Sequence, residues 1–286
     1  MSERIAGKII VVTGASSGIG RAAATQLARL GAQLCLVARR ADELAQLKEE
    51  IEAEGGSAWV YPADLSIEAE VEACGQAILQ QHGAVDVLIN NAGRSIRRSV
   101  RASFDRYHDF QRTMQLNYFA AVKLTLLLLP GMLERRSGQV INISSLSVLG
   151  PTPNFAAYVA SKSALEGFSR TLAAEMAGRG VQVTVVNFPL VKTAMTAPTK
   201  LYNHVRQMDA EKAASWIVGA VRKRPYRVVG SLGAAWGVAT TTLPGPMADW
   251  SGRLARVSGR MLQRLADART PADELPPPGK AAKRQA

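Results

Sequence analysis

The chain has two cysteines, Cys35 and Cys74, among its 286 residues. They fall in a predicted strand and a predicted helix, without metal-ligand spacing and without a framework of paired spacings. A disulfide scaffold and a cysteine-built metal site are therefore excluded, and a reduced, intracellular compartment is expected. A secretory leader pattern is missing as well, because Met1-Ser-Glu-Arg-Ile5 runs straight into a strand. No strong membrane-spanning run is present. Residues 228–248 carry no charge, but they are rich in glycine and threonine and interrupted by Pro244 and Pro246. Aromatics make up 6% of the chain, and none is interleaved with the basic clusters, which argues against base stacking and a nucleic-acid partner. Acidic residues are scarce: 23 Asp and Glu stand against 35 Lys and Arg, a formal charge of +12. That balance favours anions such as phosphorylated cofactors, acidic substrates or membrane surfaces. Hydrophobic residues at 47% suffice for a full core, in one large α/β domain with a tail or in two small domains.

Short β-branched and apolar runs predict strands at 8–13, 33–38, 58–61, 85–89, 139–143, 181–186 and 226–229. Helical patterns lie between them, at 21–30, 42–54, 66–82 with Ser66 as N-cap, 110–135 with a bend or break near Pro130-Gly131, 156–177, and 209–221 with Asp209 as N-cap. This alternation implies right-handed βαβ units and a Rossmann-type, doubly wound parallel sheet in an α/β domain over residues 1–230. Residues 189–208 read as an irregular lid. Residues 231–269 form an apolar and amphipathic extension, and the Pro-, Ala- and Lys-rich residues 270–286 are expected to be disordered. In the extension, Trp250, Leu254, Val257, Met261 and Leu265 recur beside Arg253, Arg256, Arg260 and Arg264. Such a basic amphipathic helix lies on a membrane or subunit surface, or docks on its own domain.

Gly14, Gly18 and Gly20 form G-x-x-x-G-x-G at the first strand-to-helix junction, where backbone amides and a helix N-terminus can cradle a pyrophosphate. Ser16, Ser17 and Ile19 belong to the same loop. The second strand ends in Arg39-Arg40, where a NAD-binding chain would carry an acid for the ribose hydroxyls. Two arginines suit a 2′-phosphate, hence NADP or NADPH. Asp64-Leu65 and Asn90-Asn91-Ala92-Gly93 follow the third and fourth strands on the ligand rim, and Asn90 could equally brace neighbouring strands. Tyr158 and Lys162 lie four apart on one helix face, and an ammonium beside a phenol favours the phenolate.

In this order and spacing, Thr13 to Gly20, Asp64, Asn90 to Gly93, Asn117, Ser145 and Tyr158-x-x-x-Lys162 resemble the classical short-chain dehydrogenase/reductase family over about residues 6–230. The resemblance implies a nicotinamide cofactor and a catalytic set of Asn117, Ser145, Tyr158 and Lys162, with no metal. Tyr158, Lys162, Pro189, Val191 and Thr193 would join the cofactor contacts. The family's thirteen-residue interval to the tyrosine selects Ser145, with Ser144 as the fallback. Many members carry Pro-Gly after the sixth strand, whereas this chain has Asn187-Phe-Pro189-Leu. The implied chemistry is hydride transfer to a carbonyl carbon while Ser145 and Tyr158 hold the oxygen, with Lys162 supporting Tyr158 and Asn117 supporting a water chain.

A narrower resemblance, carried by Asn91 to Ser99, Phe104 to Tyr118 and Pro189 to Lys200, is to the reductase domain of bacterial fatty acyl-CoA reductases. It implies NADPH-dependent reduction of a long-chain acyl thioester to an aldehyde. Reduction of a ketone, aldehyde or 3-oxoacyl lipid by the same residues is the alternative, and a non-catalytic cofactor-binding scaffold a remote one. Arg94, Arg97, Arg98 and Arg101 could meet CoA phosphates or form a solvated basic loop. The family further implies a homodimer or homotetramer through the helices at 110–135 and 156–177, while the reduced compartment makes the expected protein cytoplasmic and the basic amphipathic helix adds peripheral membrane contact as an option.

Overall fold

Short runs rich in apolar and β-branched residues make strands that can be covered on both faces, and seven of them form the centre of the computed structural model. They are β1 (Ile9–Thr13), β2 (Gln33–Ala38), β3 (Ser57–Pro62), β4 (Val87–Asn90), β5 (Gly138–Ser145), β6 (Val181–Phe188) and β7 (Arg227–Val229). The structure describes residues 5–197, 205 and 207–267, with backbone alone at 255 and 258–267. The strands pair in parallel in the order β3-β2-β1-β4-β5-β6-β7. The order reverses between β1 and β4, and at such a switch point the loops after the two strands diverge and leave a crevice.

Helices α1 (Gly18–Ala28), α2 (Ala41–Ala53) and α7 (Ala210–Lys223) cover one face through Leu27, Leu44, Leu47 and Ile217, all fully buried. Helices α3 (Glu68–His82), α5 (Ala120–Glu134) and α6 (Ala156–Glu175) cover the other through Val71, Ile78, Leu124 and Leu172. Cys35 and Cys74 lie in this second core, where burial pushes both thiols up to about 12 and keeps them unreactive.

Several local expectations are corrected. Ser66 is not a helix cap: Ile67 holds that position, and the Ser66 hydroxyl donates to Asp64 Oδ1 at 2.7 Å. Asp209 does occupy the N-cap of α7, as expected, without a side-chain capping bond. The long helix starts at α4 (Tyr107–Met114) and passes through a π-turn at Gln115–Phe119 before α5. It does not break at Pro130. Leu126, whose carbonyl loses its helical donor there, is exposed, so water can satisfy it. This helix is long and apolar enough to cross a membrane by composition, yet 44% of its most apolar 18-residue stretch is buried, and α5 packs on α3 and α6.

The uncharged stretch after β7 is helical, as α8 (Ser231–Thr242) followed by α9 (Pro244–Asp267). Pro244 stands in the first turn, where no N–H is needed. Helix α8 is seated on the 3-10 turn Leu146–Leu149 after β5: a Cβ on Gly150 would lie 2.4 Å from Trp236 Nε1, and Thr240 Oγ1 donates to the Leu149 carbonyl. The rings of Trp236 and Trp250 lie 6.0 Å apart and join α8 to α9. The tail at 270–286 lies outside the described residues, as do 198–204 and 206 of the expected lid.

Candidate active site

The strand ends open into a cleft of about 810 Å³. Its floor is the glycine loop between β1 and α1. Gly14 has φ +67, and a Cβ there would lie 3.0 Å from Ala92 Cα. Gly20 is more constrained, since its Cβ would stand 2.3 Å from the Gly14 carbonyl oxygen and 2.6 Å from Asn91 Nδ2. Asn91 clamps the loop by donating to the Thr13 carbonyl at 2.8 Å. No acid stands in the first turn of α1, so the positive end of the helix is left for a ligand anion. Arg40 Nη2 donates to Ser16 Oγ at 3.1 Å, and Arg39 lies 3.5 Å from Asp64 Oδ2 with its side chain 71% exposed. The chemistry of this floor, backbone amides flanked by two arginines, fits a dinucleotide phosphate.

The opposite wall is built by β5 and α6. Ser145 closes β5, and its Oγ accepts from the Ser147 amide at 3.2 Å and from Ser147 Oγ at 3.0 Å. Tyr158 and Lys162 stand one turn apart on α6, both lining the cleft. Lys162 Nζ donates to the Ile143 carbonyl at 2.7 Å, and burial lowers its ammonium to about 8. Asn117 sits in the π-turn behind the lysine. Its Oδ1 accepts from the Arg94 amide at 2.8 Å, and its Nδ2 donates to the Arg94 carbonyl and to Ser161 Oγ, both at 2.9 Å. Ser161 Oγ in turn donates to the Tyr158 carbonyl at 2.7 Å. A π-turn swings one residue out of helical phase, and here it turns an asparagine toward the α6 wall.

Most of the sequence-derived positions meet in this cleft. Gly14, Ser16, Ser17, Gly18, Ile19, Arg39, Arg40, Asp64, Leu65, Asn91, Ala92 and Gly93 line it with Ser145, Tyr158, Lys162, Pro189, Val191 and Thr193. Gly20 and Asn117 stand behind the lining, as supports. Burial alone would raise the Asp64 carboxyl, but the Ser66 hydroxyl and amide, with Arg39, hold it below its usual range. Asn90 is a brace: it is buried and donates to Asn142 Oδ1 at 2.8 Å and Thr125 Oγ1 at 3.1 Å.

The basic loop divides. Arg94 and Arg97 line the cleft, whereas Arg98 Nε pairs with buried Asp109 at 3.1 Å and Arg101 lies in an exposed 3-10 turn away from the lining. Among residues the pattern did not single out, Trp236 of α8 lines the cleft, and Glu166, Asn187 and Arg227 form a network under Ser145. Their only sequence signal is Glu166 one turn after Lys162. Among the described residues no group of His, Cys, Asp or Glu could hold a metal.

A dinucleotide cleft walled by a serine, a tyrosine and a lysine defines a nicotinamide-dependent oxidoreductase. The family model for short chain dehydrogenase matches residues 8–203, and the chain belongs to this short-chain dehydrogenase/reductase family. It is 51% identical over 231 residues to a fatty acyl-CoA reductase of Acinetobacter baylyi, covering 81% of this chain and 78% of that one. It is 45% identical over 225 residues to a fatty acyl-CoA reductase of Mycobacterium tuberculosis, covering 78% and 76%. Among solved structures, a metagenomic short-chain oxidoreductase in complex with NADP superposes with a TM-score of 0.69 at 30% identity, covering 79% of this chain and 98% of that one.

Proposed function

We propose that the protein reduces long-chain fatty acyl-CoA to the fatty aldehyde, with NADPH as reductant and release of CoA. The observation that carries this reading is the 51% identity to a fatty acyl-CoA reductase over most of both chains. The cleft supports it. Arg94 is held below its ordinary pKa by burial first, then by the charges of Arg112 and Arg39, a deficit of negative charge that CoA phosphates would relieve.

The cofactor, when bound, supplies a hydride to the thioester carbon. The Ser145 and Tyr158 hydroxyls hold the developing oxyanion, and Tyr158 delivers its proton. The resulting hemithioacetal collapses to aldehyde and CoA thiol. Lys162, protonated below about pH 8, supports the phenolate of Tyr158 and holds the nicotinamide ribose. Asn117 supports the water chain that returns the proton. Incubation of the protein with NADPH and palmitoyl-CoA is expected to consume NADPH and release free thiol in equal amounts. Turnover of 3-oxoacyl-CoA or simple ketones, with palmitoyl-CoA untouched, would replace this reading with ordinary carbonyl reduction.

Arg39 and Arg40 select the 2′-phosphate in this proposal. The double change Arg39→Asp with Arg40→Ala is expected to lower the NADPH-over-NADH ratio of kcat/KM by roughly a hundredfold, two charge-assisted contacts being lost. An unchanged ratio would remove both arginines from cofactor choice.

We further propose a cytoplasmic homodimer or homotetramer formed through α5 and α6, supported by the exposed Phe119 and Leu126 on the long helix. Peripheral membrane contact falls to α8 and α9. Their exposed Leu232, Val238, Trp250, Leu254 and Val257, with Leu243 at the joint between them, stand beside Arg253 and Arg256, a pattern complementary to an anionic bilayer surface. Flotation with phosphatidylglycerol vesicles is expected to weaken by at least about tenfold when residues 249–286 are removed. Equal flotation of the truncated chain would end the membrane reading.

A further inference from the structure

Helix α6 presents Tyr158, Lys162 and Glu166 at intervals of four, so all three lie along one face. Lys162 holds the Ile143 carbonyl at 2.7 Å, and Glu166 Oε1 accepts from Ser144 Oγ at 2.7 Å. One helix face thus grips the two residues that precede Ser145. Glu166 Oε1 also accepts from Asn187 Nδ2 at 2.5 Å, and the same Nδ2 donates to the Ser145 carbonyl at 3.1 Å. On the far side, Glu166 Oε2 takes Arg227 Nη2 at 2.8 Å, and Arg227 Nη1 donates to Asn187 Oδ1 at 3.1 Å. Ser144 and Asn187 are buried, and the Glu166 side chain is only 14% exposed.

We propose that Glu166 is a positioning residue that sets Ser145 for catalysis through Ser144 and Asn187. A carboxylate only accepts, so both donors must point at it. This fixes the Asn187 amide with Nδ2 toward Ser145 and Oδ1 toward Arg227. The opposite orientation would set the amide oxygen against the carboxylate and the Ser145 carbonyl, and its donors against Arg227. The backbone of Ser145 is therefore held from one side by an amide whose direction Glu166 dictates. Arg227 belongs to β7, which runs into α8 and Trp236, so the same carboxylate links the serine to the far wall of the cleft. The proposal rests on the reaction class of the family and not on an acyl-CoA substrate.

The neutral change Glu166→Gln exposes this logic. With Arg227 present, the new amide turns its oxygen to the guanidinium and its N–H groups to Ser144, whose hydroxyl can rotate to accept, and to Asn187, where donor opposes donor. With Arg227→Met added, the amide is free to turn its oxygen back toward both donors. In the full-length protein, E166Q is expected to lower kcat on order of tenfold to a hundredfold, with the NADPH dissociation constant within about twofold of wild type. The double variant E166Q/R227M is expected to recover at least about fivefold of the kcat lost by E166Q. A network that only glues the fold gives losses that multiply in the double variant, and that result overturns the proposal. So does a kcat for E166Q within about twofold of wild type.

Two readouts keep the test open. Ser144→Ala removes one donor and leaves the ion pair, and an unchanged kcat there counts against the proposal should E166Q fail to fold. The crystal structure of the variant needs no substrate: a Ser145 hydroxyl displaced relative to Tyr158 supports the positioning role, and an unmoved one refutes it. If wild type ignores palmitoyl-CoA but turns over another carbonyl substrate, the functional reading fails while the variant ratios still decide the role of Glu166.

Discussion

Tyr158→Phe is expected to lower turnover by roughly a thousandfold, about 4 kcal/mol of transition-state stabilisation, while NADPH binding stays within about threefold of wild type. The separation follows from geometry. The phenol hydroxyl is the only atom removed, and the glycine loop, Arg39, Arg40 and Lys162 are untouched. Stopped-flow turnover and fluorescence titration measure the two quantities independently. Undiminished turnover would withdraw the acid role from Tyr158, and the whole proposed chemistry with it. Phe155, whose ring lies 6.4 Å from that of Tyr158, keeps the aromatic contact in the variant, so lost packing cannot account for the fall.

Gly20→Ala carries the second large effect. One methyl group would stand 2.3 Å from the Gly14 carbonyl oxygen and 2.6 Å from Asn91 Nδ2. Neither is the tip of a flexible chain: the first is backbone, and the second is tied to the Thr13 carbonyl. The loop must shift, at an expected cost of about 1–3 kcal/mol in folding stability. Because the loop is the phosphate cradle, the NADPH dissociation constant is expected to rise at least about tenfold. Gly219→Ala is the control. It is also a helical glycine, but nothing lies within 4 Å of its Cβ, so the change is expected to be neutral or stabilising by up to about 1 kcal/mol. Thermal melts and NADPH titrations of the two variants check both expectations, and similar behaviour in the pair would remove the close-approach argument.

Much of the fold could be read from the chain because its signals are local. The strand at Ile9–Thr13, the glycine loop and the helix after it are consecutive, and apart from β1 with β4 every pair of neighbouring strands is joined by one βα unit. The rim residues Asp64 and Asn91 were legible for the same reason, since each follows its strand directly. What was missed is nonlocal. Glu166 and Arg227 are brought together by the β6–β7 pairing, and no pattern near either residue announces the other. Arg98 reads as a free cation until α4 delivers Asp109 to it. Burial alone would raise that carboxyl, but Arg112, Arg106, His108 and Arg98 hold it below its usual range. Helix α8 was hidden by composition: its glycines and threonines have poor helix propensity, and packing of Trp236 and Gly233 on the turn after β5 overrides it.

The π-turn at Gln115–Phe119 makes the long helix an arithmetic device. Such a turn holds one residue more than an α-helical turn spanning the same length. Removing a single residue there would restore a regular helix and leave everything before it in the same rotational phase as everything after it. Asp109 and Thr113 on one side of the turn, and Leu124 and Leu128 on the other, are all buried, and both halves keep those faces whether or not the extra residue is present. A one-residue deletion would therefore be absorbed by the bulge: the buried carboxylate keeps its arginines, and what is lost is the outward swing that turns Asn117 toward Ser161.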